Sequence, residues 1–154
     1  MRNILNNKTI LVTGGTGTVG SEIIFSLLKY KFKTIRVLTN DENSIFEFQN
    51  ELEKKLIKIK KLNLIKKFRF LFGDIREIER CKKSTEKVDI IIHAAAMKHV
   101  SICEYTPDEA IKTNVIGTQN LISAAIYNKV SNFLHISTDK VVDASTVLGQ
   151  TKIL

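Results

Sequence analysis

Thr13-Gly14-Gly15-Thr16-Gly17-Thr18-Val19-Gly20 constrains this chain more than any other stretch. Ile10-Leu11-Val12 precede it as an apolar run of strand type, and Ile23, Ile24, Leu27 and Leu28 follow at helical spacing. The glycines therefore sit where a strand turns into a helix. Gly14 can take the tight turn, Gly17 offers no Cβ to block a pyrophosphate, and Gly20 lets the helix pack closely on its strand. Phosphates would face the helix N-terminus, where unpaired N–H groups and the helix dipole favour an anion. Thr16, Thr18 and Val19 lie on the same turn and belong to the expected dinucleotide site. The glycines recur every three residues rather than in the two-then-three pattern of the usual fingerprint, so the strand–turn–helix context carries the reading.

The alternation continues along the chain. Strands are predicted over Lys8 to Thr13, Thr34 to Leu38, Phe68 to Phe72, Val88 to Ile92 and Asn132 to Ile136. Helices are predicted over Val19 to Tyr30, Glu42 to about Ile59, and Ile78 to Ser84. Thr106-Pro107-Asp108-Glu109 combines an N-cap, a proline at the first helical position and acids in the first turn, so a helix should start there and run to about Asn128. Another begins at Val147. This pattern predicts an α/β fold with a doubly wound parallel sheet of Rossmann type, about five strands, and ligands at the carboxyl ends of the strands. At 154 residues there is room for one domain. A six- or seven-stranded sheet would need further βα units, so the chain is expected to be C-terminally incomplete.

The polar groups collect at those strand ends. Asp74, with Ile75 after it, follows the third strand at a place suited to accepting a hydrogen bond from an adenine amino group, although an aspartate after glycine is also common turn chemistry. The second strand ends in Thr39 and Asn40, neither the acid that binds a ribose 2′-OH nor the arginine that accepts a 2′-phosphate. Asp41 and Glu42 read equally well as helix caps, which leaves NAD and NADP both open as the cofactor. Ala94, Ala95 and Ala96 close the fourth strand beside the cofactor, after His93, read as a backbone-bonded histidine. Thr138, Asp139 and Lys140 place a hydroxyl, a carboxyl and an ammonium where the nicotinamide should lie, as an acid and a base or as a solvated turn. His93, His99 and His135 lack metal-site spacing, and Cys81 and Cys103 read as free thiols.

Seven of the fourteen residues from Lys54 to Lys67 are lysines, and they carry much of the net charge of +8. Ile45, Phe48, Leu52, Leu56 and Ile59 form a helical stripe, which puts Lys54, Lys55 and Lys58 on the wet side. Such a run could attract nucleic acid, an anionic membrane surface or a diphosphate substrate, but a solvated helix face is the expectation, with steering of phosphates as the main alternative. Without interleaved aromatics, no nucleic acid partner is expected. No apolar run approaches a membrane span, and Met1-Arg2-Asn3 lead into no signal-peptide core, so a cytoplasmic protein is expected.

Taken together, Thr13 to Gly20, Gly73-Asp-Ile-Arg76, His93-Ala-Ala-Ala-Met-Lys-His-Val100, Lys112-Thr-Asn-Val-Ile-Gly-Thr118 and Ser137-Thr-Asp-Lys140 resemble the extended short-chain dehydrogenase/reductases. More narrowly, the chain resembles the bacterial polysaccharide-biosynthesis nucleotide-sugar dehydratases, which act on UDP-N-acetylglucosamine as 4,6-dehydratases. The resemblance implies oxidation at C4 of the sugar, loss of water across C5 and C6, and return of the hydride to C6. It implies that Thr138 hydrogen-bonds the C4 oxygen, Asp139 protonates the departing hydroxyl and Lys140 takes the C5 proton. It implies that Lys152 binds the nicotinamide ribose, Asn114 supports the active-site backbone and Lys98 borders the cofactor. Residues 1–154 would be the NAD(P)-binding portion of a larger, homo-oligomeric enzyme, without its substrate-binding part, and inactive alone.

Two positions depart from that pattern. The superfamily's catalytic tyrosine stands four residues before the lysine, where this chain has Leu148, although some dehydratases of the group carry methionine there. The usual Asn-Pro after the Asp-Lys pair is replaced by Asp143-Ala144-Ser145. A non-catalytic NAD(P)-binding sensor or interaction module is therefore the alternative, ahead of an epimerase, which would be expected to keep the tyrosine.

Overall fold

The computed structural model describes residues 4–142 and 144–154, with Lys140 described in its backbone only; Met1, Arg2, Asn3 and Asp143 lie outside the described residues. Five strands form one parallel sheet: β1 (Thr9–Thr13), β2 (Thr34–Thr39), β3 (Phe68–Phe72), β4 (Ile90–His93) and β5 (Asn132–His135), in the order β3-β2-β1-β4-β5. The order reverses between β1 and β4. At such a switch point the two connections leave on opposite faces and open a crevice at the carboxyl ends.

Burial on both faces explains why the inner strands β1 and β4 read as apolar runs. In β1, Ile10 and Val12 face one core with Ile24, Phe25 and Leu27 of α1 (Thr18–Leu27) and Phe48, Leu52 and Leu56 of α2 (Glu42–Lys58). Leu11 faces the other, against Cys81 of α3 (Ile78–Thr85) and Leu121, Ala124 and Ala125. Ile59 departs from the expected stripe: it lies past the last turn of α2 and is exposed. Lys55 also departs from the wet side, with its Nζ 3.7 Å from the centroid of the Phe25 ring, where the ring face attracts the cation.

The region after Thr106 is helical from Pro107 to Tyr127, as read from sequence, but with a π-bulge inside it that the sequence reading did not foresee. It comprises α5 (Pro107–Ile111), a π-turn over Lys112–Ile116 and α6 (Gly117–Tyr127). A short α4 (Val100–Tyr105) precedes it, a 3-10 segment over Leu62–Lys67 leads into β3, and α7 (Val147–Ile153) follows β5. Thr106 does not cap α5 with its side chain; its Oγ1 donates back to the Ile102 carbonyl at 2.8 Å. Among the described residues no helix is long and apolar enough to cross a membrane.

Candidate functional site

A cleft of about 630 Å³ opens at the carboxyl ends of β1, β2, β3 and β4. Its floor is the glycine turn. Gly14 adopts φ +64°, and a methyl there would stand 2.7 Å from the Ala95 backbone. A methyl on Gly17 would meet only the Gly14 carbonyl, at 3.4 Å, so this glycine faces open space. Gly17 is also the N-cap of α1, with no side-chain cap and no acid in the first turn. The free N–H groups of that turn are left for an anion. A turn that admits close backbone approach, at an uncapped helix start, fits a pyrophosphate.

Gly14, Thr16, Gly17, Thr18, Val19, Gly20, Thr39, Asn40, Asp74, Ile75, Ala94, Ala95, Ala96 and Lys98 all line the cleft. Sequence reasoning missed Ser44, Arg76, Met97, Glu109 and Thr113, which line it as well. Ser44 had a local signal: it is three residues from Asp41, whose carboxylate accepts its N–H at 3.2 Å and caps α2. Its hydroxyl then lies 2.9 Å from that of Thr16. Glu109 and Thr113 had none, because the loop after β4 brings their helices across the cleft.

Asp74 is held from several sides. Its Oδ1 accepts the Arg76 N–H at 2.9 Å, and its Oδ2 accepts Arg76 Nε at 2.8 Å and Asn40 Nδ2 at 3.3 Å. Burial would raise its pKa, but the hydrogen bonds and charge of Arg76, with Asn40, outweigh that and hold the carboxyl below its ordinary value. Arg76 continues to Glu109 at 2.6 Å, which ties β3 to α5 over the cleft wall.

Asn114 and Lys152 stand behind the cleft rather than in its lining. Asn114, in the π-turn, accepts the Met97 N–H at 2.8 Å and donates to the Met97 carbonyl at 3.2 Å and to Thr151 Oγ1 at 3.0 Å. It thereby fixes the segment that carries Ala96 and Lys98. Lys152 donates to the Ile136 carbonyl at 3.4 Å, and burial lowers its pKa. Thr138 and Asp139 follow β5, with the hydroxyl donating to Asp139 Oδ1 at 3.0 Å; Lys140 adjoins them in a 3-10 turn. Leu148, four residues before Lys152, is buried against Cys103 and Ala110, with Met97, Val100 and Val147 packed around them.

His93 corrects the sequence reading. It is fully buried and bonds through its side chain, Nδ1 to Thr13 Oγ1 at 2.6 Å and Nε2 to Thr118 Oγ1 at 2.9 Å. Among the described residues no cluster of histidine, cysteine or acidic groups has the makings of a metal site.

The sequence model of one family, described as polysaccharide biosynthesis protein, matches residues 10–154. An uncharacterized membrane protein of Methanocaldococcus jannaschii is 50% identical over 99% of this chain and 42% of its own length. A UDP-N-acetylglucosamine 4,6-dehydratase (inverting) of Campylobacter jejuni is 39% identical over 97% and 42%, and a UDP-glucose 4-epimerase of Rickettsia prowazekii 36% over 96% and 41%. Among solved structures, Pen from Bacillus thuringiensis has a TM-score of 0.85 at 38% identity, covering 97% of this chain and 43% of its own. DesIV, a dTDP-glucose 4,6-dehydratase from Streptomyces venezuelae with NAD bound, has a TM-score of 0.76 at 25% identity, covering 94% and 48%. The chain thus spans less than half the length of these relatives, which include dehydratases and an epimerase.

Proposed function

The chain belongs to the polysaccharide biosynthesis protein family, and on that premise we propose that it is the NAD(P)-binding part of a nucleotide-sugar 4,6-dehydratase. The substrate is of the UDP-N-acetylglucosamine type, and the functional protein pairs with a second copy of itself. One observation favours dehydration over epimerisation. Leu148 is 3% exposed in an apolar cluster, while Thr138 and Asp139 stand bonded to each other at the end of β5. An epimerase on this fold is expected to keep a tyrosine at the Leu148 position, and a leucine cannot move a proton.

The glycine turn holds the pyrophosphate, Asp74 the adenine amino group, and Thr39 and Asn40 the adenosine ribose. Ala94, Ala95, Ala96 and Lys98 border the rest, with Lys152 on the nicotinamide ribose and Asn114 fixing the wall from behind. When bound, the nicotinamide supplies a reversible hydride acceptor. Thr138 would orient the C4 hydroxyl, whose proton leaves to water as the hydride departs, there being no tyrosine at position 148. Lys140 would then remove the C5 proton while Asp139 gives its proton to the departing C6 hydroxyl, and the hydride would return to C6 with a proton to C5.

The test is loss of water from UDP-N-acetylglucosamine, followed by product mass, with the protein as its native cell makes it. Lys140→Ala should abolish turnover and retain NAD(P). Leu148 also favours a second reading, a non-catalytic NAD(P)-binding module. That reading is the one left standing if no dehydration occurs and Lys140→Ala changes nothing.

A further inference from the structure

In a parallel sheet every helix-to-strand connection lies at the N-terminal ends of the strands, opposite the cleft. Residues 4–8, 28–33, 58–67, 86–89 and 128–131 therefore share one end of the domain. Hydrogen bonds join them into one surface. Lys33 N donates to the Lys8 carbonyl at 2.9 Å, Lys61 Nζ to the Leu28 carbonyl at 3.2 Å, and Lys67 Nζ to the Phe32 carbonyl at 3.1 Å. Ser131 N donates to the Asp89 carbonyl at 3.0 Å, and the Asp89 carboxylate accepts Thr9 N at 2.8 Å.

These connections hold eleven of the chain's 24 basic residues, all lysines, but of its 16 acids only Glu86 and Asp89. The remainder of the chain has thirteen basic residues against fourteen acids, so this end carries +9 and the rest −1 of the net charge of +8. All but Lys8 of the eleven lysines are exposed, and among the described residues only Lys8 pairs with a carboxylate, that of Asp89. Steering phosphates into the cleft cannot be their role, because the cleft is at the other end. Between them stand exposed apolar side chains: Ile4 at 71%, Tyr30 at 49%, Leu62 at 47% and Ile59 at 41%.

We propose that this end docks on an anionic lipid bilayer. Lysines near such a surface are drawn to its negative potential, and scattered aliphatic side chains add shallow insertion among the headgroups. Nucleic acid fits less well. The five connections contain no arginine for bidentate phosphate contacts. Their Phe32 is buried in the core, which leaves Tyr30 as the aromatic exposed for stacking. Docking in this orientation leaves the cleft facing away from the membrane.

Cosedimentation of the chain with large unilamellar vesicles tests this, using phosphatidylcholine alone or with about 30% phosphatidylserine. At least tenfold stronger partitioning onto the anionic vesicles is expected, falling steeply with salt. Lys31→Gln, Lys60→Gln and Lys66→Gln together should weaken it about 100-fold, at roughly fivefold per lysine. Lys112→Gln, at the cleft end, should leave it unchanged. Leu62→Ser should reduce binding without altering the salt slope. Equal partitioning onto both vesicle types, or binding insensitive to salt, would overturn the proposal whatever the variants do. So would retention on duplex DNA with the vesicles ignored, which would assign the surface to nucleic acid.

Discussion

Thr13 Oγ1 lies 2.6 Å from Nδ1 of His93, its register partner across the β1–β4 pair. The direction of that bond follows from its neighbours. Thr118 Oγ1 donates to the Asn114 carbonyl at 2.6 Å, so towards His93 it can only accept, and His93 Nε2 must carry the proton. Nδ1 is then the acceptor and Thr13 the donor. The hydroxyl of Thr13 also accepts the Ala95 N–H at 3.4 Å, which connects the cleft wall to the π-turn through one neutral imidazole.

Burial, with the nearby His135 and Lys152, pushes the His93 pKa down from 6.5 to about 3. The unfolded chain therefore binds a proton below pH 6.5 that the folded chain refuses. This contribution to stability is complete above pH 6.5 and is lost as pH falls towards 3, at up to about 1.4 kcal/mol per pH unit. Urea unfolding at pH 7.5 and 5 should show the loss, and His93→Asn should remove that part of the slope. An identical slope in the variant would assign it to other groups.

The glycine turn separates packing from ligand approach. A methyl on Gly20 would run into the Gly14 carbonyl and stand 2.6 Å from Gly15 Cα. Gly20→Ala should cost about 3 kcal/mol. Gly17→Ala meets one atom at 3.4 Å and should cost about 1 kcal/mol at this N-cap. It should nevertheless weaken NAD(H) binding, read by nicotinamide fluorescence, at least as much as Gly20→Ala. Undiminished binding in Gly17→Ala would move the pyrophosphate away from this turn.

Asp74 should report on the adenine end. Asp74→Ala, by removing one acceptor, should weaken NAD(P) about tenfold. The folded carboxyl is held below its usual 3.8, so its charge is present above that value and lost only as pH falls through the depressed one. Affinity measured by titration calorimetry should accordingly owe no change to this group between pH 8 and 5. A steep loss near pH 5 would contradict its pairing with Arg76.

The strands and the glycine turn were legible because local composition decides them. A strand buried on both faces must be apolar throughout, and Ile10-Leu11-Val12 could not serve otherwise. The π-bulge inside the helix after Thr106 was not, because the contacts of its Asn114 are tertiary. Asn114 spends its amide on Met97, 17 residues away, and on Thr151, 37 away, and no local pattern encodes either partner. Arg76 likewise lies within a recognisable motif, yet its link to Glu109 depends on how α5 is placed. The lysines were visible as a run, but their gathering at one end needed the sheet topology.

Leu148 offers the sharpest division between the readings. Its side chain fills a site formed by Cys103 and Ala110, with Met97 and Val100 beside them, so Leu148→Ala should cost about 3 kcal/mol through the cavity it leaves. Leu148→Tyr enlarges the side chain and brings a hydroxyl into apolar surroundings, and should cost about 1–3 kcal/mol. If the protein is a dehydratase that works through Thr138, Asp139 and Lys140, the tyrosine should add nothing to turnover. If it descends from an epimerase disabled at this position, the tyrosine should restore interconversion of UDP-sugars at C4, visible by proton NMR of the product. Such a gain would sink the dehydratase reading, because it would show that the proton step at C4 waits on residue 148.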